Sequence, residues 1–306
     1  MAPSWTRLIR FIAEEDGLTH LGEVIGDADV GLAHHAGQKI QAKLITGSAF
    51  DGVVTDKTLT VARLLCPLDR SEVPLIRCLG LNYHDHAKEA NMPVPEHPVL
   101  FIKPRTALAG PHPAKISIPK FVQDGSSDYE AELTLVVAKD GRDIQESKAM
   151  DYVLGYTVGN DVSARTEQFR NSQWCFSKGL DNSAPIGPVI VSPSVIKDPQ
   201  DLAIKATLGD MTVQDSHTRR SLQKTNKWPC PISSEMIFSI PKTLAFLSQG
   251  TTLERGTVIM LGTPPGVGAM RNPKVCLKDG DDMRVYIDKI GENFFFPVRA
   301  PRSFAI

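Results

Sequence analysis

Residues 128–137 of this chain read DYEAELTLVV, and residues 155–165 read GYTVGNDVSAR. Both stretches are rich in β-branched and aromatic residues and are bounded by Gly or Asp, which predicts two strands. Side chains alternate along a strand, so Glu130 and Glu132 are expected on one face, with their Cα atoms roughly 6–7 Å apart. Two carboxylates this close repel each other unless a positive charge lies between them, and a hard cation such as Mg²⁺ commonly supplies it.

The acidic strand also admits a simpler interpretation. Alternation alone would place Tyr129 and Leu133 in the core and leave both acids on a solvated face, and these residues by themselves favour that arrangement. Asp161 shifts the balance, because it follows the apolar run GYTVGN and a buried Asp needs a partner.

Composition bounds the class of protein. A chain of 306 residues with 42% hydrophobic content can bury a large core, as one large domain or two. A net charge of -1 gives no indication of a nucleic-acid or membrane partner, and no run of about 18 apolar residues predicts a membrane span. The cysteines are odd in number, five, and form no C-x-x-C pair, which argues against a disulfide scaffold or a structural zinc.

The expected compartment is a reducing one, the cytoplasm. Arg7 and Arg10 lie near the N-terminus, but Glu14 follows closely and no apolar signal core is present. The N-terminus therefore gives only weak support to the alternative, a mitochondrial presequence.

The pattern of strands and turns predicts a boundary near residue 70. Residues 1–70 are expected to form a small β-rich N-terminal domain without chemistry of its own, and residues 71–306 the catalytic domain. His34 and His35 are expected in a Gly-flanked, solvated loop rather than in a metal site.

Two further patterns concern the C-terminal part. Ser234 to Leu247 shows the clearest amphipathic helical spacing in the chain, with its apolar residues in the core. The last strands are expected at Val275–Leu277 and Asp282–Ile287. No internal repeats or low-complexity segments occur.

Several polar residues occur where chemistry is plausible. His86 and Glu89 are three apart in a helix-compatible run, so they can hydrogen-bond, as a general base and its orienting carboxylate do; chance charges on a surface helix are the simpler local alternative. Lys103 lies in the apolar run PVLFIKP, where it either snorkels or faces an anion, and Lys178 lies within a second, aromatic run. Residues 262–268 form a Gly/Pro loop that suits a carboxylate and matches no nucleotide-binding spacing.

Over about residues 75–298, these features resemble the fumarylacetoacetate hydrolase family, in its acylpyruvate hydrolase and oxaloacetate decarboxylase branch. The resemblance rests on six motifs that occur in the family's order. They are Asn82-Tyr83-x-x-His86-x-x-Glu89, Phe101-x-Lys103-Pro104, Asp128-Tyr129-Glu130-x-Glu132-Leu133, Gly159-Asn160-Asp161-Val162-Ser163-Ala164-Arg165, Lys178-x-x-Asp181 and Gly262-Thr263-Pro264-x-Gly266-Val267-Gly268. One departure is Leu261, where many members have Thr, and it leaves the form of the carboxylate pocket open.

The resemblance implies a fold and a set of site residues. The fold would be mainly β with flanking helices (α+β), a mixed β-roll catalytic domain that commonly forms a homodimer. Metal ligands for Mg²⁺ or Mn²⁺ would be Glu130, Glu132 and Asp161. Catalytic residues would be His86, Glu89 and Lys178, with His86 and Glu89 on a lid helix. Substrate contacts would come from Arg165, Gln168 and Thr263, and Lys103 is assigned to the same group.

The same resemblance implies three alternatives for function. The first is a metal-dependent hydrolase that cleaves a C–C bond in acylpyruvate-like 1,3-dioxo acids through an enolate. The second is a decarboxylase or isomerase of oxaloacetate or a related 2-oxo diacid. The third is a catalytically silent homodimer that binds a metabolite, although the intact set of acids, His86 and Lys178 counts against it.

Overall fold

Strands dominate the part of the chain that the computed structural model describes, residues 4–219 and 236–299. The strands are β1 (Arg7–Ala13), β2 (Thr19–Val24), β3 (Gln41–Thr46), β4 (Val53–Leu65), β5 (Ile76–Gly80), β6 (Val99–Lys103), β7 (Leu108–Ala109), β8 (Lys115–Ile118), β9 (Ser127–Asp128), β10 (Ala131–Val137), β11 (Gly141–Arg142), β12 (Val153–Asn160), β13 (Ser163–Ala164), β14 (Ala184–Val191), β15 (Ala203–Leu208), β16 (Met211–His217), β17 (Thr252–Leu253), β18 (Val258–Met260), β19 (Met283–Ile287) and β20 (Gly291–Arg299). The α-helices are short: α1 (Val30–His35), α2 (His84–Glu89), α3 (Arg165–Arg170), α4 (Cys175–Lys178) and α5 (Ile240–Leu247). Short 3₁₀ helices cover Arg70–Glu72, Arg105–Ala107, Lys120–Val122, Glu146–Tyr152 and Gly268–Met270. The expected fold class, mainly β with flanking helices, is confirmed.

The largest sheet has eleven strands and is centred on the acidic strand. Its order is β2-β3-β4-β1-β14-β12-β10-β18-β5-β6, with β7 beside β14. β10 pairs antiparallel with both β12 and β18, and every residue of β10 and β12 is buried. Strands covered on both faces need apolar side chains on both, which explains why Leu133 to Val137 reads as a nearly continuous hydrophobic run rather than an alternating one.

The N-terminal strands extend this same sheet. β1 pairs with β2 and β4 and also with β14, where Leu8 lies opposite Ile190. Leu8, Trp5 and Ile190 share one buried cluster. The division of the chain at residue 70 stays a prediction, because a shared sheet and core neither require nor exclude separate folding units.

A second sheet of five strands, in the order β16-β15-β19-β20-β8, packs beside the first. Residues of both sheets, such as Leu133 of β10 and Ile204 of β15, belong to one large buried cluster. This packing brings β16 to the edge of the acidic strand. In the described residues no helix is long and apolar enough to cross a membrane.

Three local predictions were wrong. α5 begins only at Ile240, after the N-cap Ser239, because the backbone N–H groups of Ile237 and Phe238 bond instead to Asn82; residues 234 and 235 lie outside the described ranges.

The other two concern a loop and a strand. His34 and His35 end helix α1, which Asp29 caps by accepting a hydrogen bond from the Leu32 N–H. Residues 275–277 form no strand, and β20 is the last strand in the described residues.

Candidate active site

The backbone of β10 and β12 brings three acidic residues together. Ala131 lies opposite Asn160 in the antiparallel register, and the Asp161 N–H donates to the Glu130 carbonyl at 2.9 Å. One carboxylate oxygen from each of Glu130, Glu132 and Asp161 lies within 4.8 Å of the others, and all three residues are buried. The interpretation of these acids as a solvated strand face is therefore wrong.

Lys178 bridges two of these acids. It ends α4, and its Nζ lies 2.8 Å from Glu130 Oε2 and 2.7 Å from Asp161 Oδ2. Burial disfavours the ammonium charge, but the carboxylates of Asp161 and Glu130 outweigh it and raise the pKa of Lys178 above its usual value. Burial likewise works against the Glu130 carboxylate, yet Lys178 and Arg165 hold the pKa of Glu130 well below its usual range.

Arg165 forms a second charged network at the start of α3. Its Nε lies 2.7 Å from Asp128 Oδ2, and its Nη1 lies 2.7 Å from Glu130 Oε1 and 2.8 Å from Gln168 Oε1. Asp128 is fixed in turn by the backbone N–H groups of Gly268 and Ala269. The Nη2 of Arg165 is buried and has no hydrogen-bond partner among the described residues, although Arg165 lines the neighbouring cavity.

Glu132 carries the charge that the site does not balance. Within this centre, the described ion pairs join Lys103, Lys178 and Arg165 to Asp128, Glu130 and Asp161. Glu132 has no such pair: its Oε2 accepts the Gly262 N–H at 2.7 Å, and its Oε1 is buried without a partner. Burial and the carboxylates of Asp161 and Glu130 raise the pKa of Glu132 well above its usual value.

This arrangement fits a divalent cation. The free oxygen of Glu132 is a buried acceptor that needs a positive partner, and the oxygens of Glu130 and Asp161 lie within reach of the same point. An all-oxygen carboxylate set is what hard divalent cations select. The predicted ligand set is therefore brought together as one group.

A cavity lies beside the acidic centre. Lys103 does not line it, which corrects the assignment of Lys103 as a substrate contact. Its side chain is 0% exposed, and its Nζ lies 2.6 Å from Asp161 Oδ1. It also donates to the backbone carbonyls of Val162 and Ser183. A lysine so enclosed holds Asp161 in place.

His86 and Glu89 form the expected pair on α2. His86 Nδ1 lies 3.2 Å from Glu89 Oε2, and Glu89 accepts the Gly266 N–H through both oxygens, at 2.9 and 3.1 Å. Glu89 thus ties the helix to the Gly/Pro loop. With Nδ1 engaged, His86 can present Nε2 to the cavity that it lines.

Thr263 lines the same cavity, and Gln214 of β16 positions it. The Thr263 hydroxyl donates to the Ala131 carbonyl at 2.9 Å and accepts a hydrogen bond from Gln214 Nε2 at 2.8 Å. The Oε1 of Gln214 accepts the Ala131 N–H at 2.9 Å. Sequence inspection missed Gln214, because no local signal links an isolated Gln on a distant strand to this loop.

The residues meet at one end of a cavity of about 370 Å³. Of the predicted site residues, His86, Glu130, Arg165, Gln168, Lys178 and Thr263 line it. The rest of the wall is mainly apolar and includes Met92, Phe101, Phe169, Trp174 and Met270. Sequence signals for this wall are only indirect, since it is drawn from four separate segments.

Comparison with known proteins agrees with this geometry. The family model described as fumarylacetoacetate (FAA) hydrolase C-terminal matches residues 75–293. A caffeoylpyruvate hydrolase of Neonothopanus nambi is 45% identical over 298 residues, covering 94% of this chain and 92% of that protein. The mitochondrial oxaloacetate tautomerase FAHD2A of Homo sapiens is 35% identical, covering 93% and 89% of the two chains.

A solved structure has the same fold. The 2-hydroxyhepta-2,4-diene-1,7-dioate isomerase of Mycobacterium marinum superposes with a TM-score of 0.76 at 29% identity, covering 97% of this chain and all of that one. With a family match across most of its length and the buried acids in place, this chain belongs to the fumarylacetoacetate hydrolase family.

Proposed function

We propose that this protein hydrolyses a C–C bond in acylpyruvate-like 1,3-dioxo acids. The observation that carries the proposal is that one cavity is lined by Glu130 of the buried acidic triad, by Lys178, which bridges two of its acids, and by His86, which a carboxylate orients. The 45% identical relative is named as a caffeoylpyruvate hydrolase, which supports this substrate class.

Glu130, Glu132 and Asp161 would hold the divalent cation. We propose Mg²⁺, with Mn²⁺ as the alternative, because both accept a few carboxylates and leave positions open to substrate oxygens. When bound, such a cation polarises carbonyl oxygens and absorbs developing negative charge.

The chain's own residues orient the substrate. The unpartnered Nη2 of Arg165 and the amide nitrogen of Gln168 are available to the substrate carboxylate or keto oxygens, while Thr263 and its loop lie alongside. Lys178 places a buried ammonium where negative charge grows, and a fixed charge in a dry site stabilises that charge more than water does.

His86 would act as the general base. Glu89 fixes the orientation of its ring, and the Nε2 nitrogen takes a proton from water as the water oxygen bonds to the distal carbonyl carbon. The bond between that carbon and the central CH₂ then breaks, and its electron pair remains on the pyruvate fragment as an enolate. Protonation of the CH₂ carbon gives pyruvate, so R–CO–CH₂–CO–COO⁻ and H₂O yield R–COOH and CH₃–CO–COO⁻.

A second candidate is isomerisation or decarboxylation of oxaloacetate or a related 2-oxo diacid. The 35% identical human relative is named as an oxaloacetate tautomerase, and such a reaction would use the same acids and Lys178. Tautomerisation moves a proton between carbon and oxygen, and decarboxylation releases CO₂ without attack by water. The essential difference is therefore the activated water that only hydrolysis requires.

The remaining expectations stay predictions: a homodimer without a nucleic-acid partner, in the cytoplasm or the mitochondrion. A silent, metabolite-binding protein is the third candidate. Intact Glu130, Glu132, Asp161 and Lys178 around one point argue against it, since burying these charges without a use is unfavourable.

The test is a side-by-side assay of acetylpyruvate and oxaloacetate with Mg²⁺ and with Mn²⁺, using wild type and His86→Gln. We expect His86→Gln to lower acetylpyruvate hydrolysis by about 10²–10⁴-fold, and oxaloacetate decarboxylation less, because of these two reactions only hydrolysis needs an activated water. The matched control is His20→Gln, since His20 also pairs with a carboxylate, Asp16, but lies outside the cavity. Equal losses in both reactions would contradict the assigned role of His86, and no turnover of any 2-oxo acid by wild type would favour the silent protein.

A further inference from the structure

We infer that the outer part of the cavity selects an acyl group that ends in an aromatic ring, with Trp174 as the main specificity-determining residue. The inference rests on the proposed function and narrows it: the preferred substrates are acylpyruvates whose acyl group ends in an aromatic ring rather than small or dicarboxylic 2-oxo acids.

The polar end of the cavity fixes the direction of the substrate. The titratable groups that line the cavity are His86, Glu130, Arg165 and Lys178. Arg165 and Lys178 both contact Glu130. The pyruvate end of a substrate therefore lies here, and its acyl group extends toward the apolar wall.

Aromatic rings begin immediately beside this polar end. Trp174 caps α4, and its carbonyl accepts the Lys178 N–H at 3.0 Å, so the catalytic lysine and the indole belong to one helical turn. The Phe101 ring connects them in space: Lys178 Nζ lies 5.2 Å from its centroid, and the Trp174 ring packs against it edge-on at 5.8 Å and 72°. An aromatic acyl group that leaves the polar end meets ring edges and faces, an arrangement that rings favour.

Gly80 makes room for the indole. A Cβ at this position would lie 2.5 Å from Cζ3 of Trp174, too close for the ring to keep its place. The absence of a side chain at Gly80, the last residue of β5, thus leaves space for the Trp174 indole in the cavity wall. Met92 and Met270 also line the cavity and are partly exposed, and flexible thioethers adapt well to a ring.

The size and charge of the cavity agree with a ring. A cavity of about 150 Å³ can take benzene, so 370 Å³ has room for a ring in addition to a pyruvate unit. Among the described residues that line the cavity, Lys178 is the only lysine and Arg165 the only arginine, and both already pair with carboxylates at the polar end. Asn171 and Ser172 also line the cavity but are neutral, so a carboxylate at the far end of the acyl group would find no unengaged cationic partner among the described lining residues, which disfavours it.

The experiment compares kcat/KM for three substrates: benzoylpyruvate, acetylpyruvate and an acylpyruvate whose acyl group ends in a carboxylate. Because a single methylene in an apolar pocket already changes kcat/KM by about 10–200-fold, we expect benzoylpyruvate to exceed the other two by at least about 100-fold. The variant Trp174→Ala should lower kcat/KM for benzoylpyruvate by at least about 10-fold and for acetylpyruvate by less than about 3-fold. Comparing the benzoylpyruvate-to-acetylpyruvate ratio of wild type with that of Trp174→Ala cancels the intrinsic reactivities of the two substrates.

The matched control is Phe176→Ala. Phe176 lies on the same helix as Lys178, but it is 64% exposed, stacks on Phe121 at 5.8 Å and does not line the cavity, so both substrates should keep their wild-type kcat/KM. If Trp174→Ala does not fold, Phe169→Ala on α3 provides the same test, since Phe169 also lines the cavity and is 62% exposed.

Each outcome is decisive. Equal kcat/KM for benzoylpyruvate and acetylpyruvate, a preference for the dicarboxylic substrate, or a parallel loss of both monocarboxylic substrates in Trp174→Ala would overturn the inference and leave the proposed function standing. No turnover of any acylpyruvate would instead overturn the proposed function.

Discussion

Replacing Glu132 by Gln separates the charge of this side chain from its size. Glu132 is 0% exposed, one oxygen accepts the Gly262 N–H, and the other has no partner. The amide of Gln can still accept that hydrogen bond, and its NH₂ group can donate toward the oxygens of Glu130 and Asp161. Without divalent ions, the variant should therefore be at least as stable as wild type, because it removes the unbalanced charge.

With divalent ions, the order should reverse. An ion present at 100 times its Kd stabilises the folded state by about 2.7 kcal/mol, and a 100-fold loss of affinity reduces this to about 0.4 kcal/mol. We use that loss because the variant keeps only two carboxylates, Glu130 and Asp161, both held by Lys178. At about 2 °C per kcal/mol for a chain of this size, Mg²⁺ or Mn²⁺ should raise the wild-type Tm by about 5 °C and the variant Tm by about 1 °C.

The assay is thermal unfolding of both proteins in EDTA and across a titration of each ion, with no substrate present. Glu146→Gln is the matched control, because Glu146 is exposed and lies outside the cavity, so it should show the full wild-type shift. An unchanged ion-induced shift in Glu132→Gln would refute the ligand assignment. A lower Tm of this variant in EDTA would refute the argument that Glu132 carries an unbalanced charge.

Two further predictions concern parts of the site that do not contact substrate. Lys103→Met removes the buried partner of Asp161, a proposed metal ligand, and should lower the free energy of unfolding by about 3–5 kcal/mol in a urea titration. The exposed Lys148→Met should change it by less than about 0.5 kcal/mol, and a similarly small effect of Lys103→Met would mean that the buried ion pair is dispensable. Gly262→Ala combines a φ of +87° with a Cβ only 2.7 Å from Asn82 Cβ, while Gly250→Ala has a φ of +66° and open space around it. The left-handed backbone should lower the free energy of unfolding of both variants by about 1–2 kcal/mol. In Gly262→Ala the crowded Cβ should lower it further and should also weaken the stabilisation by metal ions. Equal changes in the two variants would show that the loop relaxes around a methyl group.

The acidic centre and the dyad could be predicted because their signals are local. Two acids with one residue between them share a face of a strand, and two residues three apart share a face of a helix, whatever the rest of the chain does. The positions of Glu130, Glu132, His86 and Glu89 therefore agree with their sequence spacing. The family motifs then indicated which distant Asp joins them.

Other features depend on which strands lie next to each other. The start of α5 was misplaced because the helical spacing of apolar residues continues upstream of it. In the structure, Asn82, more than 150 residues away, accepts hydrogen bonds from the backbone N–H groups of that upstream segment. Gln214 reaches Thr263 only because the second sheet packs against the first. Such contacts leave no periodic trace in the sequence, since each needs just one residue at one place.

By itself, the sequence determined the strand-rich class, the pairing of acids on β10 and the histidine–carboxylate turn of α2, because hydrophobic and helical periods act between near neighbours. Only the tertiary structure decided that Lys103 pairs with Asp161 and does not line the cavity, and that Phe101 and Trp174 form a wall beside Lys178. It also decided that Glu132, alone among the acids of this centre, has no ion pair with any residue that the structure describes. The direction of a buried side chain is set by the elements packed around it, and those are specified by the whole chain.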